Sequence, residues 1–116
     1  METIFVIGEN ASLLQTRALV LAKTGAATVC STPAQLPSKM AETTAGLVVL
    51  CHTLKADQRA VIVEKVQTQW PAARVLQVCQ RPEEEPHDAG VDGWAFGGEP
   101  ATLLRRAKEL LGRTVP

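Results

Sequence analysis

Residues Leu47 to Cys51 read LVVLC, five apolar side chains in a row between Gly46 and the polar pair His52 and Thr53. A strand with one wet face alternates apolar and polar residues, whereas a strand covered on both faces reads as a continuous apolar run. This run is of strand length and has no alternation. It predicts the central strand of a sheet with helices above and below, and the rest of the chain can be tested as its neighbours or its cover.

A second such run, Thr3 to Ile7, ends at Gly8. Asn10 then suits an N-cap, and Leu14, Ala18, Leu21 and Ala22 recur at helical spacing. This predicts a helix from Ala11 to Thr24 that stops at Gly25. Ala27 to Cys30 is a short strand. Thr32 and Pro33 offer an N-cap with proline at the first helical position, but Pro37 should break or shorten that helix, with Leu36 and Met40 still facing the core. Ala56 to Trp70 is a helix, with Val63, Val66 and Trp70 on one face and Pro71 as its stop. Arg74 to Val78 is the fourth strand. The stretch RPEEEPHDAG, residues 81–90, is a poor helix and a good loop. Trp94 to Phe96 is the fifth strand. Pro100 starts a last helix, striped by Leu103, Leu104, Ala107, Leu110 and Leu111 and ended by Gly112. Strands alternating with helices through short loops call for right-handed crossovers and a parallel sheet sandwiched between helical layers.

The chain has 116 residues, enough for one domain over 1–116 with a core that needs no metal or disulfide staple. Twelve basic residues balance twelve acidic ones, so no general field attracts nucleic acid or an anionic membrane. No apolar run approaches a membrane span, and the N-terminus reads as a strand rather than a secretory signal. Three widely spaced cysteines, Cys30, Cys51 and Cys79, fit neither a disulfide framework nor a CxxC metal site. The expectation is a soluble, cytoplasmic, reduced protein with no cofactor and no metal.

The order and spacing of these segments resemble the receiver domain of two-component response regulators, the CheY-like fold. The resemblance is carried by IFVIGENASLLQTRALVLAKTGAATVCST, by LVVLC and by GVDGWAFGGEPATLLRRAKELL, and covers nearly the whole chain. It implies a five-stranded parallel sheet in the order 2-1-3-4-5, with helices on both faces and a fourth helix shortened or absent. It also implies a site. Receivers take a phosphoryl group onto an aspartate at the end of the third strand; that position here is Cys51. The paired magnesium-binding acids after the first strand fall on Gly8 and Glu9, the hydroxyl residue after the fourth on Cys79, and the lysine after the fifth on Gly97, with Gly98 beside it. Magnesium requires several hard oxygen ligands, and Glu9 beside two thiols cannot supply them. The switch aromatic of the fifth strand corresponds to Trp94, near Phe96.

The resemblance therefore implies a degenerate pocket of Gly8, Glu9, Cys51, Cys79 and Gly97, and a non-phosphorylatable module that binds a protein partner in a signalling pathway, with Trp94 and Phe96 as candidate contacts. Two other readings stand beside it. If strand order follows the family, Cys51 and Cys79 end adjacent strands about 4.8 Å apart, so they could form a redox pair; against this, free cysteines are commonly small buried hydrophobes. A nucleotide or small molecule could bind at the carboxyl ends of the strands. Smaller features have plainer readings: His52 as a polar residue at the end of the sheet, Glu9 as a charge near the start of the first helix, Gly97–Gly98 as a turn, and Arg105, Arg106 and Lys108 as a solvated helix face unless they line a homodimer.

Overall fold

In a computed structural model, residues 3–80 and 90–114 are described. Five strands, β1 (Thr3–Ile7), β2 (Ala27–Ser31), β3 (Leu47–Leu50), β4 (Arg74–Cys79) and β5 (Gly93–Phe96), form one sheet in the order β2-β1-β3-β4-β5. All four pairings are parallel. Four α-helices are present among the described residues: α1 (Ala11–Leu21), α2 (Leu36–Glu42), α3 (Ala56–Gln69) and α4 (Pro100–Thr114). The fold class and strand order match the expectation.

The two apolar runs are the two inner strands. Every residue of β3, and every residue of β1 after Thr3, is buried. Their side chains alternate between two cores, as a pleated strand requires. Ile4, Val6, Leu47, Val49, Leu76 and Val78 pack with Leu14 and Leu21 of α1 and with Leu103, Ala107 and Leu110 of α4. Phe5, Ile7, Val48 and Leu50 pack on the other face with Leu36 and Met40 of α2 and with Ile62, Val63, Val66 and Trp70 around α3. Phe5 meets Trp70 edge to face, ring centres 5.0 Å apart. Each large aliphatic side chain buried this way contributes roughly 1.5–3 kcal/mol of transfer free energy, so the central strands need no other fastening.

Local signals place some of the helix ends. The Asn10 side chain accepts a hydrogen bond from the Leu13 N–H and starts α1. The helix is shorter than expected: it stops at Leu21 and tightens into a 3-10 turn, Ala22–Thr24, before Gly25. The Thr24 hydroxyl donates to the Leu21 carbonyl there, occupying one of the acceptors left by the helix end. Thr32 does cap, but a turn early. Its hydroxyl accepts from the Gln35 N–H while the Gln35 side chain accepts from the Thr32 N–H. The helix itself starts only at Leu36 and runs seven residues. Pro37 falls in its first turn, where a missing N–H costs nothing, so proline marks the start instead of a break. Gly112 does not end the last helix, which continues to Thr114. The buried Leu110 and Leu111 anchor the turn just before it, and packing of that size outweighs a helical glycine's penalty of about 1 kcal/mol. The predicted loop of residues 81–89 lies outside the described residues. No described helix is long and apolar enough to cross a membrane.

Candidate functional site

The carboxyl ends of β1, β3, β4 and β5 meet at one edge of the sheet. Gly8 continues β1, its N–H bonded to the Ser31 carbonyl, and Cys51 continues β3, its N–H bonded to the Ile7 carbonyl. These two strand ends touch. A Cβ on Gly8 would stand 2.9 Å from Cys51 Cβ, 3.0 Å from Thr53 Oγ1 and 3.2 Å from a Leu14 methyl. No side chain fits at position 8 while β3 holds its place, because the first obstacle is a backbone-anchored Cβ. Glu9 is exposed, and its N–H donates to Thr53 Oγ1. The side-chain cap of α1 comes from Asn10, and Glu9 directly precedes it, outside the first turn of the helix.

The residue that organises this end of the sheet is Arg17, which no sequence motif singled out. It lies on α1 between Leu14 and Leu21, on the buried stripe, and is 5 % exposed. Its Nη2 donates to His52 Nδ1 over 2.9 Å. A guanidinium has donors only, so the bond sets Nδ1 as acceptor and leaves the ring proton on Nε2. Nη1, equally buried, has no hydrogen-bond partner. Gly97 makes the space for this group: a Cβ there would fall 2.7 Å from Arg17 Nη2 and 3.1 Å from a Val78 methyl. The available signal was a lone arginine at helical spacing inside an apolar stripe, three residues after Leu14 and four before Leu21. Such a residue must either leave the core or bring a partner into it.

Cys51 is 1 % exposed and faces the same core as α1. Burial pushes its thiol pKa up; the adjacent Arg17 charge and its N–H pull the other way, and the nearby Cys30 adds to the rise. The net shift is upward, so the protonated thiol is favoured and the nucleophilic thiolate is not. Cys30 is half-buried, bonds the Leu14 carbonyl, and is also raised, by burial against a smaller opposing effect of Lys39. Cys79 is placed differently from what adjacency suggested. The β3–β4 register pairs Leu50 with Gln77, so Cys51 continues it beside Val78. Cys51 and Val78 share one core, and Cys79, one residue on, points to the opposite face. The sulfur nearest in kind to Cys51 is therefore Cys30, and no disulfide joins any of the three.

Leu13, Arg17, His52, Gln80, Gly97 and Gly98 line a cleft of about 510 Å3 at this end. A larger groove, about 730 Å3, opens at the amino ends of the strands around Thr3, Met40, Gln69 and Trp70, with Glu42 its one charged residue. Arg17 and His52 border the smaller cleft, and of the expected pocket residues only Gly97 does. No cluster of three or more His, Cys, Asp or Glu that could hold a metal ion occurs among the described residues. Trp94 and Phe96 lie on edge strand β5, both half-buried, rings edge to face at 5.1 Å. The pleat turns them away from Ala95 and hence from the core shared by Arg17 and Cys51.

No protein-family model matches the chain, and no curated protein sequence matches it. Solved structures do. A response regulator receiver domain protein (CheY-like) from Methanospirillum hungatei JF-1 superposes with a TM-score of 0.81 at 18% identity, covering 98% of this chain and 96% of the other. Chemotaxis protein CheY4 of Vibrio cholerae gives 0.79 at 17%, covering 95% and 98%. The signal receiver domain of an HD domain-containing protein from Pseudomonas fluorescens Pf-5 gives 0.79 at 12%, covering 97% and 88%. The chain has the receiver-domain fold. At these identities the likeness concerns the fold, and the chemistry must be argued from the chain's own residues.

Proposed function

We propose that this domain is a receiver-like signalling module that is not phosphorylated by the aspartate route and that acts by binding a protein partner. The observation that carries the reading is the pair Gly8 and Cys51. The position that the resemblance equates with the phosphoacceptor holds a buried thiol with a raised pKa. The strand end beside it leaves 2.9 Å where an acidic side chain would have to begin. A phosphoryl acceptor of the receiver kind needs an ionised oxygen and a divalent ion held by several carboxylates. Glu9 is the one acid of the expected pair, and it is exposed. The cation at this end is Arg17, delivered from α1 and already engaged by His52. The opposed facing of Cys51 and Cys79 and the raised thiol pKa disfavour the redox-pair alternative. Trp94 and Phe96, half-buried on an edge strand, supply the aromatic surface that partners commonly use.

The test is incubation of the intact protein with acetyl phosphate and magnesium, followed by mass spectrometry. The expected result is an unchanged mass under conditions that phosphorylate a conventional receiver run alongside. A stable phosphoryl adduct would overturn the reading. For the binding role, Trp94→Ala should weaken capture of the partner found in a pull-down while leaving the melting temperature within a few degrees; equal capture by the variant would remove Trp94 from the interface.

A further inference from the structure

The helices that cover one face of the sheet, α2 and α3, run against the strands and bring their carboxyl ends to its amino-terminal edge. A helix leaves its last four carbonyls without partners inside the helix, and that end carries partial negative charge. A lysine or arginine in the last turn commonly answers it. Neither helix has such a cation to spare. The last turn of α3 holds no basic residue. The last turn of α2 holds Lys39, but its ammonium donates to the Cys30 carbonyl on β2. Thr43 leaves α2 in an extended conformation, and among the described residues its N–H closes no turn. Gln69 Nε2 donates to the Met40 carbonyl over 3.0 Å. Among the described residues, no donor reaches the carbonyls of Ala41 and Glu42.

Between these two helix ends lies the 730 Å3 groove, at the opposite edge of the sheet from Arg17 and Cys51. Its volume is that of a ligand pocket. Glu42 is its one charged lining residue and is exposed. The ion pairs among the described residues, Arg74–Asp92 and Arg106–Glu109, leave Glu42 out. No lysine, arginine or histidine lines the groove. From the two helix ends, their unmatched carbonyls and the unopposed Glu42, we infer that this groove docks an arginine side chain presented by an extended segment of a protein partner. A guanidinium carries five donors in a fixed fork and suits several acceptors set around one opening, whereas an ammonium is a compact point charge. Met40, Trp70 and Pro71 in the wall give the arginine stem and its flanking residues apolar surface to cover. The inference goes beyond the reading above and does not rest on it: the surface is a second one, remote from Trp94 and Phe96 in the lining it uses.

The experiment is a heteronuclear NMR titration of the full chain with an end-blocked alanine–arginine–alanine peptide. The control is the same peptide with citrulline, whose urea group keeps the shape and lacks the charge. The amides of residues 40–46, 69, 70, 72 and 73 should shift saturably with the arginine peptide. The citrulline peptide should bind about fivefold more weakly or less, the size of an exposed charge contact together with a helix end. Glu42→Gln should weaken the arginine peptide about two- to fivefold, and Glu42→Lys, which reverses the sign, should abolish its binding. Glu42 is exposed, so both variants should keep a native spectrum elsewhere. End-blocked arginine alone should bind more weakly than the tripeptide, because the flanking residues add contacts along the groove. Absence of saturable shifts, equal binding of the citrulline peptide or of a lysine peptide, unchanged affinity in Glu42→Lys, or equal affinity of the single blocked residue would each overturn the assignment. None of these results bears on the acetyl phosphate or Trp94→Ala tests, so the two readings fall separately.

Discussion

Gly97 and Arg17 should be energetically coupled, and the coupling can be sized from the structure. In Gly97→Ala the new methyl would lie 2.7 Å from Arg17 Nη2 and 3.1 Å from Val78 Cγ1, where ordinary contact begins at 3.4 Å. A long side chain normally slides away from such an overlap. This one is only 5 % exposed and is tied to His52 by a 2.9 Å hydrogen bond, so moving it breaks that bond or displaces α1. Overpacking on this scale costs about 1–3 kcal/mol. The alanine returns roughly 0.4–1 kcal/mol by stiffening the unfolded chain, for a net loss of about 1–2 kcal/mol. For a domain this size that is a fall of roughly 4–8 °C in melting temperature. Arg17→Met keeps most of the stem packing and removes the obstructing nitrogen, so in that background the alanine should meet only the milder Val78 contact. Urea unfolding of the four proteins of the cycle should therefore yield a coupling of about 1 kcal/mol, with the unfolded-state contribution cancelling. Single-variant effects that add to within about 0.3 kcal/mol would refute the claim that Gly97 is small because Arg17 is there.

Gly8→Asp, which would restore an acid after the first strand, should destabilise by about 2–3 kcal/mol in urea unfolding, because its Cβ meets the Cys51 Cβ at 2.9 Å and neither backbone can retreat; acetyl phosphate should still give no mass gain. Cys51→Asp puts a carboxyl where burial already outweighs the Arg17 charge for the thiol, so NMR titration should place its pKa above the ordinary carboxylate value of about 3.9. Unfolded thiols ionise near pH 8.5, whereas the folded Cys51 and Cys30 hold their protons to higher pH. The unfolded state then binds fewer protons, so the thiols' contribution is fully present below about pH 8.5 and is lost as the pH rises through the alkaline range. The chain has no tyrosine to obscure this, and Cys51→Val should flatten the fall of the urea midpoint between about pH 7.5 and 10. Mild oxidation should produce no two-proton mass loss from a Cys51–Cys79 bond, since the two thiols face opposite sides of the sheet, and a labelling reagent should reach half-buried Cys30 before buried Cys51.

Much of the architecture could be read from the letters alone, because it depends on local patterns. Unbroken apolar runs at Thr3–Ile7 and Leu47–Leu50 became the doubly covered strands, and Asn10 capped α1 as its side chain allows. Where expectation and structure part, a tertiary term of about 1 kcal/mol was enough to tip the balance. Packing at Leu110 and Leu111 carried α4 past Gly112.

The site divides along the same line. Which residues end the strands, Gly8, Cys51, Cys79 and Gly97, comes from counting along each segment, since a strand's length is a local property. Which of them meet does not. Side-chain direction depends on strand register, and register sent Cys79 to the far face from Cys51. Arg17 became the centre of the pocket only when β5 delivered a glycine beside it and β3 delivered His52. One helix turn specifies where an arginine lies on its stripe; whether that arginine is solvated or enclosed is decided by atoms contributed from distant parts of the chain.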